Sequence, residues 1–405
     1  MGNFKYTGVG SDGKKVDGEI DAKDLKHAKR VLRRNGVRVQ TIKAPSALDI
    51  DLGVLLVQKG ILKPFGMVEL NRFTKQFAIL INAGVPILES LEILAKQERN
   101  PALRLTIKSI VENIGAGKSL HESMAKQKGF SKLYTSLVKA GEAAGILDGI
   151  LTKLSEFMEK QDAIRKKVKG ALTYPTIVVV IGTLVTWGLM YFVVPQFVQM
   201  LKEGNQEIPG ITQFVIDISN FLQEYTLLMV PILFGGLLIF SNYIKTKQGK
   251  ITWDRFTMQA PLFGGIIIKG SLSSFSRTLA TMLTAGVPLI DSLEICIETL
   301  DNTQIAKDIK TVKEAVIKGK SITEPLGRIK YFPPLVNQMV KVGESTGNLD
   351  EMLLKVADVF EQETEELIGN LTKLIEPIIL VGLGGVIGTV LIAMYMPIFM
   401  QAGGV

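Results

Sequence analysis

The 405-residue sequence predicts a mainly α membrane protein with two homologous cytoplasmic helical bundles, three transmembrane helices and a small N-terminal α/β domain. Three observations support this fold class. A segment that starts at Phe73 recurs without a gap at Phe275, 202 positions further along the chain. Three long runs carry no charged residue, as membrane-spanning helices require. The N-terminal segment instead alternates between apolar and polar side chains over short stretches, which is typical of strands.

Residues 1–43 predict the small α/β domain. Phe4 begins an alternating segment, and a second short strand is expected from Val16 to Ile20. Asp21 is expected to cap a helix, because its carboxylate can accept hydrogen bonds from the free amides at a helix start. This helix is basic but has no interleaved aromatic residues, so we interpret the domain as a docking unit and predict no nucleic-acid partner.

Two stretches of broken helical periodicity predict the bundles. Residues 44–66 are expected to form a linker, and the bundles are expected at residues 67–170 and 245–376, with about six antiparallel helices in each. Gly84 can adopt the left-handed conformation that ends a helix, and Pro86 suits the start of the next one. The second copy repeats this corner at Gly286 and Pro288.

Ser119 and Glu122 have the spacing of a capping box, in which a hydroxyl and a carboxylate bind free amides at a helix start. The second copy repeats the pair as Ser321 and Glu324. The string from Gly115 to Ser119 is similar to the end of a phosphate-binding loop. That motif needs another glycine where Glu112 stands, and it follows a strand rather than a helix. The sequence therefore predicts helix corners here and no nucleotide cofactor.

A Gly-Glu-x-x-Gly string ends one helix in each copy. It contains Glu142 and Gly145 in the first copy, and Glu344 and Gly347 in the second. One interpretation, which we favour, is a polar corner whose carboxylate binds backbone; the other is a contact for a partner or a neighbouring subunit. A catalytic carboxylate needs a second acid or a histidine in the same turn, and neither string has one. With two histidines and one cysteine in the chain, no metal site is predicted either.

The three uncharged runs predict transmembrane helices at residues 171–200, 225–244 and 377–400, with a periplasmic loop at 201–224. Basic residues flank the first two spans on one side, and the intervening loop carries a net charge of −3. By the positive-inside rule, the N-terminus and both bundles are then cytoplasmic. No span has an ionisable residue in its middle, which disfavours ion transport.

Gly384 and Gly388 of the third span have the GxxxG spacing that allows two membrane helices to approach closely. Packing within the chain and packing between chains are both compatible with this pattern. The oligomeric state therefore stays open at this point.

Together, the repeated Ala-Gly-Val-Pro, Gly-Lys-Ser and Gly-Glu-x-x-Gly-x-Leu-Asp strings, each followed by a span, resemble the platform proteins of type IV pili and type II secretion, the PilC/GspF family. The resemblance extends from about Leu70 to the C-terminus and, more loosely, over the N-terminal domain. It implies a non-enzymatic, multi-pass protein of the bacterial inner membrane without a cofactor. It also implies that candidate partner or subunit contacts lie at Glu142, Gly145, Glu344 and Gly347.

The implied role is to couple a cytoplasmic hexameric assembly or retraction ATPase to the insertion and extraction of pilin or pseudopilin at the base of a fibre. Other inner-membrane assembly proteins and further copies of the chain are the remaining implied partners. The alternatives are a transporter built from a duplicated half, an enzyme such as an ATPase, and a general membrane scaffold. Pilus and secretion platforms are equally compatible with the sequence.

Overall fold

The computed structural model describes residues 2–9, 15–22, 25–34, 36–43, 65–203 and 208–402. Within these ranges the chain is helical apart from one small sheet, so the predicted fold class is confirmed. The chain divides into two compact units. One comprises Met1–Glu142 with Ile146–Thr152, and the other comprises Ala143–Gly145 with Lys153–Val405.

The N-terminal domain contains β1 (Gly2–Val9), β2 (Lys15–Ala22), α1 (Leu25–Arg34) and β3 (Arg38–Lys43). The strands form an antiparallel sheet in the order β2-β1-β3. The prediction that Asp21 caps the helix is wrong, because Asp21 lies within β2 and pairs with Asn3. Gly2 of β1 pairs with Ala22 of β2, so β2 extends beyond its predicted end at Ile20. Of the predicted linker, only Phe65 and Gly66 are described.

The first bundle contains the predicted number of helices. They are α2 (Met67–Asn82), α3 (Ile87–Gln97), α4 (Pro101–Gly115), α5 (Leu120–Ala125), α6 (Lys132–Ala144) and α7 (Leu147–Gly188). Gly84 has φ +80°, and the amide of Val85 donates to the carbonyl of Leu80, which closes the end of α2. Pro86 precedes α3 as its N-terminal flanking residue. The core includes Phe73, which is 1% exposed.

Among the described residues, three helices are long and apolar enough to cross a membrane. The first, α7, runs through a π-helical turn (Leu189–Val193) into α8 (Val194–Glu203), and the second is α9 (Gly210–Lys245). The sequence predicts a loop over residues 201–224, but both described ends of this segment are helical. The cause is an apolar face around Val215, which is 3% exposed and packs into a small core with Met190. The described acidic residues of this segment, Glu203, Asp217 and Glu224, are exposed and lie outside this face.

The second bundle repeats the architecture of the first after one additional helix. Its helices are α10 (Lys247–Gln259), α11 (Gly264–Thr284), α12 (Leu289–Thr299), α13 (Thr303–Ile317), α14 (Thr323–Leu326), α15 (Pro334–Thr346) and α16 (Leu349–Ala402). Phe275, the counterpart of Phe73, is also 1% exposed and belongs to the core. Gly286 has φ +77° and Pro288 precedes α12, so the first corner recurs. The 54-residue α16 is both the last helix of this bundle and the third membrane-spanning candidate.

Candidate functional site

The Gly-Glu-x-x-Gly strings each form the corner between two consecutive helices. Gly145 has φ +71°, in the left-handed region that favours glycine, and it separates α6 from α7. Gly141 is buried beneath this corner. A Cβ atom at Gly141 would lie 2.9 Å from Cγ1 of Ile150 and 3.2 Å from Cα of Leu147. The first glycine therefore permits close packing of α7, and the last one permits the turn.

The second copy uses its glycines in the same way. Gly347 has φ +77° at the end of α15. A Cβ atom at Gly343 would lie 2.8 Å from Cα of Leu349 and 3.3 Å from the carbonyl oxygen of Asn348. Because both neighbours are backbone atoms, they cannot move aside without shifting α16. The spacing of the two glycines thus has a structural cause in each copy.

Glu142 lies between these glycines and reaches the start of the short helix α5. Its carboxylate accepts hydrogen bonds from the backbone amides of Leu120, at 2.9 Å, and His121, at 3.2 Å. It also lies 2.7 Å from Nδ1 of the His121 ring. Free amides at a helix start carry partial positive charge, so an ionised carboxylate stabilises them. The hydroxyl of Ser119 accepts from the amide of Glu122 at 3.3 Å, and Glu142 supplies the carboxylate that the predicted capping box assigns to Glu122.

Glu344 does the equivalent work in the second copy with different partners. Its carboxylate accepts from the amide of Ile322 at 3.1 Å, and from the hydroxyls of Ser321 and Thr323 at 2.5 and 2.6 Å. The prediction that Glu324 supplies the carboxylate of a capping box with Ser321 is therefore wrong, because Glu344 supplies it. Glu324 instead forms ion pairs with Arg328 and with Lys320, one helical turn away on either side.

The surroundings of both glutamates favour their charged form. Partial burial by itself raises the pKa of Glu142, but hydrogen bonds from the His121 ring and from the two amides outweigh it and hold the pKa below its ordinary value. Burial likewise raises the pKa of Glu344. Hydrogen bonds from Ser321, Thr323 and the local amides again reverse the direction, so the pKa is lowered. Both carboxylates are therefore ionised at neutral pH.

The geometry of the corners corresponds to the favoured interpretation, a carboxylate that binds backbone. Gly145, Glu344 and Gly347 also lie on the surface, and Glu142 is half-buried. Among the described residues, no three His, Cys, Asp or Glu side chains are grouped so as to hold a metal ion. The candidate site is thus a pair of surface corners with a structural carboxylate at each.

A second polar cluster, which the sequence did not predict, ties together the helices that continue into the membrane. Arg277 of α11 is 7% exposed, and its guanidinium contacts Asp358, at 2.7 Å, and Glu361 of α16. Nζ of Lys160 in α7 lies 3.2 Å from the same Asp358 carboxylate and 3.9 Å from Glu361. We call these four residues the junction cluster. It links α7, α11 and α16 below the point where two of them become membrane-spanning.

The repeat contained a signal for this cluster. At a distance of 202 positions from Arg277, Asp358 and Glu361, the first copy has Lys75, Glu156 and Glu159. The same charges thus recur at the same positions, although all three residues of the first copy are exposed. Opposite charges at matched positions would have indicated the ion pair that the second copy forms between α11 and α16.

Gly384 and Gly388 of the third span do not lie against another helix of the described chain. A Cβ atom built at Gly384 or Gly388 would meet no atom of the described residues within 4 Å. The close approach occurs instead at Gly182 of α7, where a Cβ atom would lie 2.6 Å from Cδ1 of Leu383. The interpretation that the GxxxG pair packs within the chain is therefore wrong. Packing between chains is the part of that prediction that stays open.

Polar side chains link the second spanning helix to the other two. The hydroxyl of Thr212 donates to the carbonyl of Ala393, and the hydroxyl of Ser219 donates to the carbonyl of Met190, each at 2.5 Å. Met190 lies in the π-helical turn, where the backbone hydrogen-bond register shifts. In a membrane a carbonyl needs a partner within the protein, and Ser219 supplies it.

These features define an integral membrane protein built from a duplicated helical bundle, with each bundle continuous with a spanning helix. The chain belongs to the family described as "Type II secretion system (T2SS), protein F", whose model matches residues 73–195 and again residues 275–397. Residues 1–43 match the model described as "Type II secretion system protein F, N-terminal domain". The two family matches coincide with the two copies of the repeat.

Curated relatives extend the similarity over nearly the whole chain. The "Type IV pilus assembly protein PilC" of Myxococcus xanthus is 35% identical over 99% of this chain and 95% of its own length. The protein of the same name from Thermus thermophilus is 35% identical over 99% and 98%. A "Type II secretion system protein F" of Xanthomonas campestris is 31% identical over 98% of both chains.

Proposed function

We propose that this protein is the non-enzymatic inner-membrane platform of a type IV pilus or a type II secretion fibre. In this role it couples a cytoplasmic assembly or retraction ATPase to the insertion and extraction of pilin or pseudopilin subunits. The names of the relatives support the assignment to this class of machinery. The basic flanks of the spans support an orientation with the N-terminus and both bundles in the cytoplasm.

The observation that carries the coupling role is the continuity of α16. This helix begins in the core of the second bundle and continues without a break as the third spanning candidate. A helix of 54 residues is about 80 Å long. Pro377 removes one backbone hydrogen bond where the bundle meets the span, but the chain stays helical through it. A force on the bundle is therefore transmitted to the bilayer through a helix rather than lost in a flexible loop.

The junction cluster supports the same role. Arg277, Asp358 and Lys160 connect α16 to α7 and α11, so these helices move together rather than separately. Further along, Lys167 of α7 contacts Glu365 of α16. A second copy of this chain is the expected neighbour in the membrane, since Gly384 and Gly388 present an open face to it. The platform is accordingly proposed to be a homo-oligomer.

Binding of the ATPase is tested with the full chain in nanodiscs and the assembly ATPase of the same organism. We expect the two to form a complex and the ATPase turnover to change on binding. Charge reversal of the corners, as in Glu142→Lys and Glu344→Lys, tests whether Glu142, Gly145, Glu344 and Gly347 are partner or subunit contacts. Complexes of unchanged affinity would exclude that contact role. Solute flux through vesicles without ATPase binding would instead identify a transporter.

Mechanical coupling needs a separate test, because an ATPase can bind without moving anything. Two seven-residue insertions after Asn370 form a matched pair, one helix-forming and one of glycine and serine. The helical insert returns α16 to within about 20° of its original rotation. We expect both variants to bind the ATPase and only the helical variant to support fibre assembly. Equal assembly by both variants would exclude force transmission along α16.

A further inference from the structure

Helix α10 turns back sharply at the end of the second span. Lys245 ends α9 and Lys247 begins α10, with Thr246 between them. The Thr246 hydroxyl donates to the carbonyl of Tyr243 at 2.7 Å and accepts from the amide of Gly249 at 3.1 Å. A Cβ atom at Gly249 would lie 2.0 Å from the carbonyl oxygen of Tyr243, so the backbones touch. This corner folds α10 against the span instead of letting it point away.

The fold-back places an aromatic ring at a definite depth. The ring of Trp253 in α10 meets the ring of Phe240 in α9 edge to face, with centroids 5.5 Å apart. Phe240 precedes Lys245 by five residues, which is about 7 Å along a helix axis. If the lysine marks the headgroup level at this end of the span, Phe240 lies just inside the hydrocarbon boundary. Trp253 is then held at the boundary itself.

The opposite side of α10 is attached to the second bundle. The carboxylate of Asp254 accepts hydrogen bonds from the amide and the hydroxyl of Thr303, at 2.7 and 2.6 Å, at the start of α13. Asp254 is 9% exposed, and it is the sole acidic residue of α10. Helix α10 is therefore fixed to the bundle by one face, which leaves its other face directed outward.

The outward face is aromatic and uncovered by the rest of the described chain. Trp253 is 38% exposed and Phe256 is 64% exposed, and their ring centroids lie 6.0 Å apart. Phe240 and Tyr243 of the span are 48% and 52% exposed. We call these four residues the aromatic patch. It is continuous with the apolar surface of α9, whose exposed side chains face lipid in a membrane.

The exposed charged side chains between Phe240 and Phe256 are all basic. Lys245, Lys247, Lys250 and Arg255 are all exposed, whereas the acidic Asp254 is turned towards α13. Tryptophan and tyrosine concentrate at the membrane–water interface, and lysine and arginine there attract anionic headgroups. A helix with these two properties, at this depth, fits a bilayer surface better than a protein partner.

We propose that α10 is an interfacial helix whose aromatic patch enters the headgroup region of the leaflet at the Lys245 end of the second span. Its exposed basic residues Lys247, Lys250 and Arg255 then bind anionic lipid headgroups. Because Asp254 ties the same helix to α13, the lipid contact sets the height of the second bundle above the membrane. This role is independent of ATPase coupling.

The chain contains two tryptophans, Trp187 in the first span and Trp253. The full chain with Trp187→Phe therefore reports on Trp253 alone, in vesicles of phosphatidylcholine and phosphatidylglycerol with bromines near either end of the acyl chains. We expect bromines near the headgroup to quench Trp253 more than bromines near the chain ends, and aqueous iodide to quench it weakly. Trp253→Phe is the matched control, in which Trp187 is quenched best by the deep bromines.

Charge is tested in the same vesicles. We expect the double variant Lys247→Glu and Lys250→Glu to reduce shallow quenching about twofold when phosphatidylglycerol is present, and to have little effect in pure phosphatidylcholine. Should Trp187→Phe fail to fold, the difference between the wild-type chain and Trp253→Phe isolates the same signal.

Two results would overturn the proposal. Strong iodide quenching without bromine quenching would place Trp253 in water. Protection from both quenchers would show that protein, from a partner or a second copy, covers the aromatic patch.

Discussion

Oε2 of Glu142 lies 2.7 Å from Nδ1 of His121, whereas the repeat counterpart of this pair brings the hydroxyl of Thr323 2.6 Å from the Glu344 carboxylate. Both copies thus use a glutamate at the end of one helix to bind the start of a short one. The neighbouring side chain is a titratable ring in the first copy and a neutral hydroxyl in the second. The duplication kept the carboxylate and its backbone partners while the flanking side chain diverged.

Removal of the Glu142 charge is expected to loosen the start of α5. Glu142→Gln weakens the hydrogen bonds to the amides of Leu120 and His121, which costs about 1–2 kcal/mol. Hydrogen exchange of those two amides in the full chain should become faster. Glu122→Gln is the control. Glu122 is exposed, and the amides at the start of α5 bind the carboxylate of Glu142 instead of its own. Equal protection in both variants would show that Glu142 does not cap α5.

The contribution of Glu142 to stability is expected to depend on pH. Its folded-state pKa lies below the ordinary value of 4.5, so the ionised carboxylate stabilises the fold fully above that value. This stabilisation is lost as the pH falls through the lowered pKa. The difference in protection between the wild-type chain and Glu142→Gln should therefore be constant near neutral pH and shrink below about pH 4.5. A difference that grew on acidification would contradict the assignment.

Replacement by alanine is expected to change stability in opposite directions at a tightly packed glycine and at an exposed helical glycine of the second unit. Gly343→Ala forces a Cβ atom against the backbone of Leu349 and should lower the free energy of unfolding by about 1–3 kcal/mol. Gly369→Ala meets nothing within 4 Å in the described residues and should raise helix stability by about 0.5–1 kcal/mol. Unfolding of the detergent-solubilised chain, followed by circular dichroism, compares them. Equal effects would show that the α15–α16 corner is less tightly packed than described.

Loss of the buried cation in the junction cluster is expected to be costly. Arg277→Met leaves Glu361, whose side chain is 15% exposed, with the more distant Lys160 ammonium at 3.9 Å as its cation and should destabilise the second bundle by about 3 kcal/mol. Lys160→Met removes a cation that is 46% exposed and should cost less than about 1 kcal/mol. The double variant Arg277→Met with Glu361→Met should recover part of the loss. A double variant as unstable as the sum of the singles would exclude the pairing.

Replacement of a glycine in the spans by leucine is expected to have an effect that depends on what the glycine contacts. Gly182→Leu places a side chain where Leu383 already lies and should lower the thermal stability of the solubilised chain. Gly384→Leu has open space in the described chain, so the stability of the protomer should be unchanged. If the open face contacts a second copy, Gly384→Leu should instead shift the oligomer distribution in native mass spectrometry towards smaller species. An unchanged distribution would place lipid on this face.

Features of local origin were predictable from the sequence. The corner at Gly84 and Pro86 depends on the left-handed conformation of glycine and the restricted φ of proline, which are properties of the residues themselves. The spanning helices follow from uninterrupted apolar runs. The extent of β2 and the helical start of α9 were not predictable, because pairing with β1 and packing against Met190 decide them over propensity.

The sequence by itself determined the duplication, the helical class and the membrane character, because repetition and hydrophobic periodicity act through neighbours along the chain. Tertiary structure decided which carboxylate caps α5, where Glu142 rather than Glu122 reaches the amides. It also decided that Gly182, and not Gly384, permits the close approach of two spans. The physical reason is the same in both cases. Hydrogen bonds and steric contacts depend on distance in space, and spacing along one helix does not reveal which side chain of another helix lies nearest.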